Sequence, residues 1–215
     1  MKYFYRGVFN PQRLAPDNID RLSTALVPPN SYLLELGCAN GFMSRYFKSV
    51  KRCRVVGVEL DRQAVSHARP YSRVICADLE HKTTWAKIKA IAPFDVVFAS
   101  AIIEHLRDPW QILQLIKSVL KPNGLLIITT SNIAHWRMRF QLLLGRWRYE
   151  DYGTLDNTHL KFFTYHTFKA AIQDAGFAIS KIAIDPAGGI KYFDWLARHF
   201  PNFYAHQMVI SARKL

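Results

Sequence analysis

The sequence predicts an α/β fold, a parallel sheet flanked by helices. Three observations carry this. Apolar runs of strand length alternate with helical segments through residue 131. Those runs are unbroken, as strands covered on both faces require. The first run ends in a glycine loop, ELGCANG at residues 35–41, that turns straight into a helix.

The elements follow in order. Residues 1–30 read as an N-terminal extension, in which Asp17 caps a short helix through Leu26 and Pro28-Pro29 stops it. Residues 31–36 form the first strand and 41–50 a helix. Residues 54–60, RVVGVEL, are the second strand, and 61–68 a short helix ending before Pro70. The third strand is 73–77, a helical segment covers 85–91, and FDVVFAS at 94–100 is the fourth strand. Pro109, suited to a first turn, opens a helix to residue 120. KPNG then turns into the fifth strand at 125–131. Beyond Ser131 the alternation stalls, and residues 132–163 are aromatic and basic with no strand signal. A helix over 168–175, closed by Gly176, leads to strands at 177–184 and 206–213. Residues 185–205, with Gly188-Gly189, join those two. No repeat or low-complexity segment is present.

A chain of 215 residues, half of them hydrophobic, suits one domain with a sizeable core. MKYFYRGVFNPQ has no apolar core of a secretory signal, and no run is long enough to span a bilayer. Cys38, Cys53 and Cys76 are odd in number and lack metal spacing, which fits a reduced cytoplasm. The net charge of +13 attracts polyanions or an anionic membrane surface. Its cations are scattered, however, as on an ordinary solvated surface. The densest group is Arg137, Arg139, Arg146 and Arg148.

Open parallel sheets bind ligands beyond the carboxyl ends of their strands. Three features fall there: the loop Glu35–Gly41, Glu59 after strand two and Asp78 after strand three. A dinucleotide fingerprint requires glycines where Ala39 and Phe42 stand, and no GK[ST] follows for a phosphate loop. Glu35 would repel a pyrophosphate at the helix N-terminus. The expected ligand is an unphosphorylated nucleoside carrying positive charge, and S-adenosylmethionine fits. Gly37 and Gly41 permit close backbone approach. Glu59 can accept from both ribose hydroxyls, and Asp78 from the adenine amino group.

ELGCANG, GVEL, ADL and FDVVFASAIIEHLRDP, followed by LKPNGLLIITTSN, resemble in order and spacing the class I S-adenosylmethionine-dependent methyltransferases, over roughly residues 30–185. The resemblance implies a Rossmann-like seven-stranded sheet with the last strand antiparallel. It implies that Glu35, Gly37, Cys38, Ala39, Gly41, Glu59 and Asp78 fall on cofactor positions. Leu60 and Leu79 would flank the adenine, and Ser100 would add a contact. Ala39 stands where glycine is common; alanine is small enough for binding to survive.

Methyl transfer from a sulfonium needs an aligned nucleophile and, for a hydroxyl acceptor, a base. His105 and His159 are the candidates. IIEHL with DNTHLKFFT resembles small-RNA 2′-O-methyltransferases and ubiquinone O-methyltransferases, where a further Glu helps bind a metal. Here that position is Ala101. Glu104, His105 and His159 alone would make a weak Mg²⁺ site, so no metal is expected. In the insert, Ile133, Trp136, Phe140 and Leu143-Leu144 recur at helical spacing among arginines. This reads as a lid helix packing on the core over the substrate. A basic amphipathic membrane contact and an RNA patch at Trp147 and Tyr149 are rival readings. The insert also resembles that of methyltransferases near the MetW-like branch, including ones of glycan assembly. The expectation is O-methylation of a small-molecule, sugar or lipid-linked acceptor in the cytoplasm. The alternatives are an RNA ribose 2′-O-methyltransferase and a MetW-like cofactor-binding partner without turnover. Nucleic-acid base methylation lacks its usual [ND]PP[YF] motif after strand four.

Overall fold

A computed structural model describes residues 4–186 and 194–215. Gly188-Gly189 lie outside the described residues. Seven strands form one sheet in the order β3-β2-β1-β4-β5-β7-β6. β1 (Tyr32–Leu36), β2 (Arg54–Glu59), β3 (Arg73–Cys76), β4 (Phe94–Ser100) and β5 (Leu120–Ser131) are parallel. β7 (Gln207–Lys214) runs antiparallel between β5 and β6 (Phe177–Asp185). This is the sheet that the resemblance implies.

Successive strand residues point to opposite faces, and both faces are covered. Leu34, Val56, Val97 and Leu126 meet Trp85 of α4 (Lys82–Lys89), Ile112 of α5 (Pro109–Val119) and Phe168 of α7 (Tyr165–Asp174). Leu33, Val55, Phe98 and Ile127 meet Ile19 of α1 (Ile19–Ala25), Val27, and Phe47 of α2 (Phe42–Ser49). The stretch before β1 therefore closes one face of the sheet. Phe9, also buried, sets its ring against Phe42 and Tyr46.

Element ends differ from the sequence reading for local reasons. Asn18, not Asp17, caps α1: its Oδ1 accepts from Asp20 N at 3.0 Å and Arg21 N at 3.3 Å. α4 opens at Lys82, ahead of the expected residue 85, because Trp85 is already turned inward to donate from Nε1 to the Leu79 carbonyl at 2.7 Å. α7 opens at Tyr165, where Thr164 and Thr167 form a reciprocal capping box. β5 begins at Leu120, and residues 121–124 form an irregularity in its ladder with β4, with Asn123 at φ 58°.

The insert is fixed at its ends. At the entry, Asn132 Nδ2 donates to the Ala205 carbonyl at 2.7 Å, and His135 is fully buried against His206 with ring centroids 5.4 Å apart. Between the ends, α6 (Trp136–Leu143) forms where the spacing predicts a helix, but none of its residues is buried. Among the described residues, the expected packing of this helix on the core is not seen: Phe140, Leu143 and Leu144 are exposed. Apolar spacing alone does not say whether a surface exists to receive the stripe.

Candidate active site

Strand order reverses between β1 and β4, since β1 leads on to β2 on one side and pairs with β4 on the other. The crevice beyond their carboxyl ends is the switch point at which such sheets bind ligands. Gly37 opens the loop at φ 69°, and a Cβ there would stand 2.9 Å from Ile102 Cδ1. The glycine loop and the segment after β4 therefore face each other closely. Gly41 closes the loop at φ 79°, where a Cβ would stand 2.8 Å from the Ala68 Cα. Only glycine meets both demands.

Ala39 sits between them at φ 45°, a left-handed conformation that costs an alanine about 1 kcal/mol. This explains physically why glycine suits the position. The strain is held by a hydrogen bond from Ala39 N to Glu59 Oε2 at 2.8 Å. The other Glu59 oxygen accepts from Leu60 N at 2.8 Å and Asp61 N at 2.9 Å. Glu59 is thus held at the rim by three backbone donors. Asp78 accepts from Glu80 N at 2.8 Å and borders a cavity of about 380 Å³ that His81 and Arg107 also line.

The remaining candidates sit at varied depths. Leu60 is 64% exposed at the rim, whereas the Leu79 side chain belongs to the core. Cys38 is buried with Sγ turned toward Gly57, and burial, with Glu35 and Glu59 nearby, pushes its thiol up. Ser100 Oγ lies 3.1 Å from Thr129 Oγ1. Glu35 lies beneath the loop, where the Ser44 hydroxyl donates to it and ties β1 to α2. Burial pushes Glu35 up to about 8; Ser44 tempers the rise and Glu59 adds to it. A cation above the loop would favour its ionised form. Two contributors lay outside the sequence reading. Asn40 Nδ2 donates to the Tyr5 carbonyl at 2.7 Å, and the Tyr5 ring stacks on Phe42. The N-terminal stretch thereby borders the loop.

Across the crevice, a 3₁₀ turn at Ile103–His105 carries Glu104 and His105. Glu104 is 2% exposed, and its carbonyl accepts from Leu160 N at 2.9 Å and Lys161 N at 3.0 Å. This ties the exit of the insert to the end of β4 and brings His159 to His105, with ring centroids 4.7 Å apart. Burial pushes the Glu104 carboxyl up to about 7, and Asp156 adds to the rise. The backbone N–H groups of Glu104 and Ser131 temper it, while Thr130 Oγ1 and Glu104 Oε2 have no hydrogen-bond partner among the described residues. His159 Nδ1 contacts the Thr154 carbonyl at 3.1 Å, and His105 Nδ1 contacts the Thr158 hydroxyl at 3.1 Å. Buried Asp156 accepts from that hydroxyl at 2.7 Å. Asp156 and Thr158 were not singled out by sequence; the only signal was their place beside His159 in DNTH. Among the described residues, no group of three His, Cys, Asp or Glu is placed to hold a metal ion.

Over residues 8–182 the chain matches the model of a family described as a methyltransferase domain. The chain belongs to this methyltransferase family. Among curated relatives, the chain is 27% identical over 169 residues to a ubiquinone biosynthesis O-methyltransferase of Cereibacter sphaeroides, covering 77% of this chain and 67% of that one. It is 28% identical over 135 residues to the enzyme of that description from Caulobacter vibrioides, covering 58% of this chain and spanning about half, 53%, of the relative. A solved S-adenosylmethionine-dependent methyltransferase from Archaeoglobus fulgidus shares its fold with a TM-score of 0.66, at 16% identity and over 90% of both chains. Another, from Mesorhizobium loti, gives 0.61 at 17% identity over 90% of this chain and 96% of that one. Family and fold are those of the class I S-adenosylmethionine-dependent methyltransferases.

Proposed function

We propose that the protein binds S-adenosylmethionine in the switch-point crevice and methylates an oxygen of a small-molecule, sugar or lipid-linked acceptor. The observation that carries this reading is Glu59, fixed by the backbone N–H groups of Ala39, Leu60 and Asp61 beside Gly37. A carboxylate so placed suits ribose hydroxyls and opposes phosphate. Asp78 would receive the adenine amino group, and buried Glu35 would favour the cationic end. The acceptor would enter from the side of Glu104, His105 and His159, and one of the two histidines would take its proton.

The insert supports an acceptor at or near an anionic lipid surface. Phe140, Leu143, Leu144 and Trp147 are exposed on a segment that also carries Arg137, Arg139, Arg146 and Arg148. No helix among the described residues is long and apolar enough to cross a membrane. We read the protein as cytoplasmic, with the insert as its point of membrane contact and its cover over the acceptor.

The test is transfer of a radiolabelled methyl group from S-adenosylmethionine into fractionated cell extract, with Glu59→Ala as control. Label in a lipid or small-molecule fraction, absent with Glu59→Ala, is the expected result. Label in RNA would overturn the acceptor class. Cofactor binding without any labelled product would favour a partner protein without turnover.

A further inference from the structure

The glycine loop has a second side. Gly37 faces Ile102 across the crevice, whereas Gly41 faces Ala68 at the end of α3 (Arg62–Ala68) and Tyr71 just beyond it. On that side residues 4–7, the loop end and His67 of α3 border a cavity of about 370 Å³. Small-molecule sites typically enclose about 300–1,000 Å³. Of the proposed cofactor residues, Gly41 alone lines this cavity. Its lining contains Arg6 and Arg45 and no carboxylate. Among the described residues, no carboxylate forms an ion pair with either arginine. Two unneutralised guanidinium groups suit an oxyanion, which each can grip through paired N–H groups. They oppose a cationic nucleoside.

The same lining is rich in rings. Tyr5 stacks on Phe42 with centroids 5.3 Å apart, and Phe4 meets His67 edge-on at 5.3 Å. The Arg45 guanidinium lies over the Tyr71 ring at 5.5 Å. Cations interleaved with aromatic faces serve a base and its phosphate together. Asn40 Nδ2 holds the Tyr5 carbonyl at 2.7 Å, while its buried Oδ1 has no partner among the described residues. A ribose hydroxyl would satisfy that acceptor. We propose that this cavity binds a nucleoside monophosphate, with the phosphate on Arg6 and Arg45 and the base among the rings. The loop then separates two ligands by charge. The crevice, with Glu59 and Asp78, takes the cationic nucleoside, and the cavity behind it takes the anionic nucleotide.

The test is calorimetry on the full chain with guanosine monophosphate as probe, in the presence of excess S-adenosylhomocysteine. Binding is expected, weakened about tenfold or more by Arg6→Gln and by Arg45→Gln. Both arginines are exposed, so these variants should fold. Guanosine and inorganic phosphate should each bind at least about tenfold more weakly than the nucleotide. In imidazole NMR spectra the His67 signals should move on adding guanosine monophosphate. No binding, or binding indifferent to both substitutions, would overturn the site. Inorganic phosphate binding as tightly as the nucleotide would leave an adventitious anion site only. Displacement by S-adenosylhomocysteine, or shifts at His105 and His159 without His67, would place the nucleotide in the crevice and also overturn it. Should S-adenosylhomocysteine itself not bind, the crevice reading fails, and the same titration without it still decides the cavity.

Discussion

The two sides of the crevice are built differently. The proposed cofactor side is local: Gly37 to Gly41, Glu59 and Asp78 each sit where a strand ends. Its carboxylates are held by backbone N–H groups a few residues away, except for the bond from Ala39 to Glu59. The proposed acceptor side is assembled from afar. His105 and Thr158 are 53 residues apart, and the Glu104 carbonyl receives the backbone of Leu160 and Lys161. Backbone-held acids at strand ends would suit a cofactor shared by many enzymes. Long-range side-chain contacts leave the acceptor side free to vary with its substrate.

Four changes would break or sharpen this contrast. The largest effect is expected from Glu59→Ala, which frees the backbone donors of Ala39, Leu60 and Asp61 and removes the proposed ribose acceptor. Calorimetry should show S-adenosylmethionine affinity falling by about 100-fold or more, each charged hydrogen bond contributing roughly 1.5–3 kcal/mol. Retained affinity would mean that the rim is not the cofactor site. Next, Gly41→Ala must accept a left-handed backbone and a contact with Ala68. Denaturant unfolding should show a loss of about 3 kcal/mol.

The third change concerns the buried acids. Glu35 and Glu104 are pushed up from 4.5 to about 8 and about 7. Between 4.5 and those values the unfolded chain has released protons that the folded one keeps. Stability of the cofactor-free protein should therefore fall as pH rises through this window and level off above it. Glu35→Gln should flatten the fall up to pH 8, and Glu104→Gln that up to pH 7, by roughly 1–3 kcal/mol each in pH-resolved unfolding. Because a cationic ligand favours ionised Glu35, wild-type affinity should tighten from pH 6 to 8, and Glu35→Gln should remove that dependence. The smallest effect is expected from Leu143→Ser, on exposed α6. Unfolding should change by no more than about 0.5 kcal/mol, while binding to anionic vesicles should weaken if the insert meets lipid.

The sheet was legible because its strands are buried on both faces and show it as unbroken apolar runs. Helix ends were less so: Asn18 rather than Asp17 caps α1, and the Thr164–Thr167 box moves the start of α7. Adjacent polar residues compete for such caps, and backbone geometry decides among them. In the insert, helical periodicity located α6 but said nothing of burial, since a stripe of Phe140 and Leu143 reads alike whether covered or open.

By itself, the sequence determined what depends on neighbouring residues: the order of strands and helices, the glycine turn after β1, and the acids at strand ends that favour a cationic nucleoside over a phosphate. Tertiary structure alone decided what depends on distant segments meeting. That includes the approach of Thr158 to His105, the inward burial of Glu35 and Glu104, and the N-terminal stretch bordering the loop. The physical reason is range: backbone turns and strand burial leave marks in adjacent residues, whereas a contact across 53 residues leaves none in either segment alone.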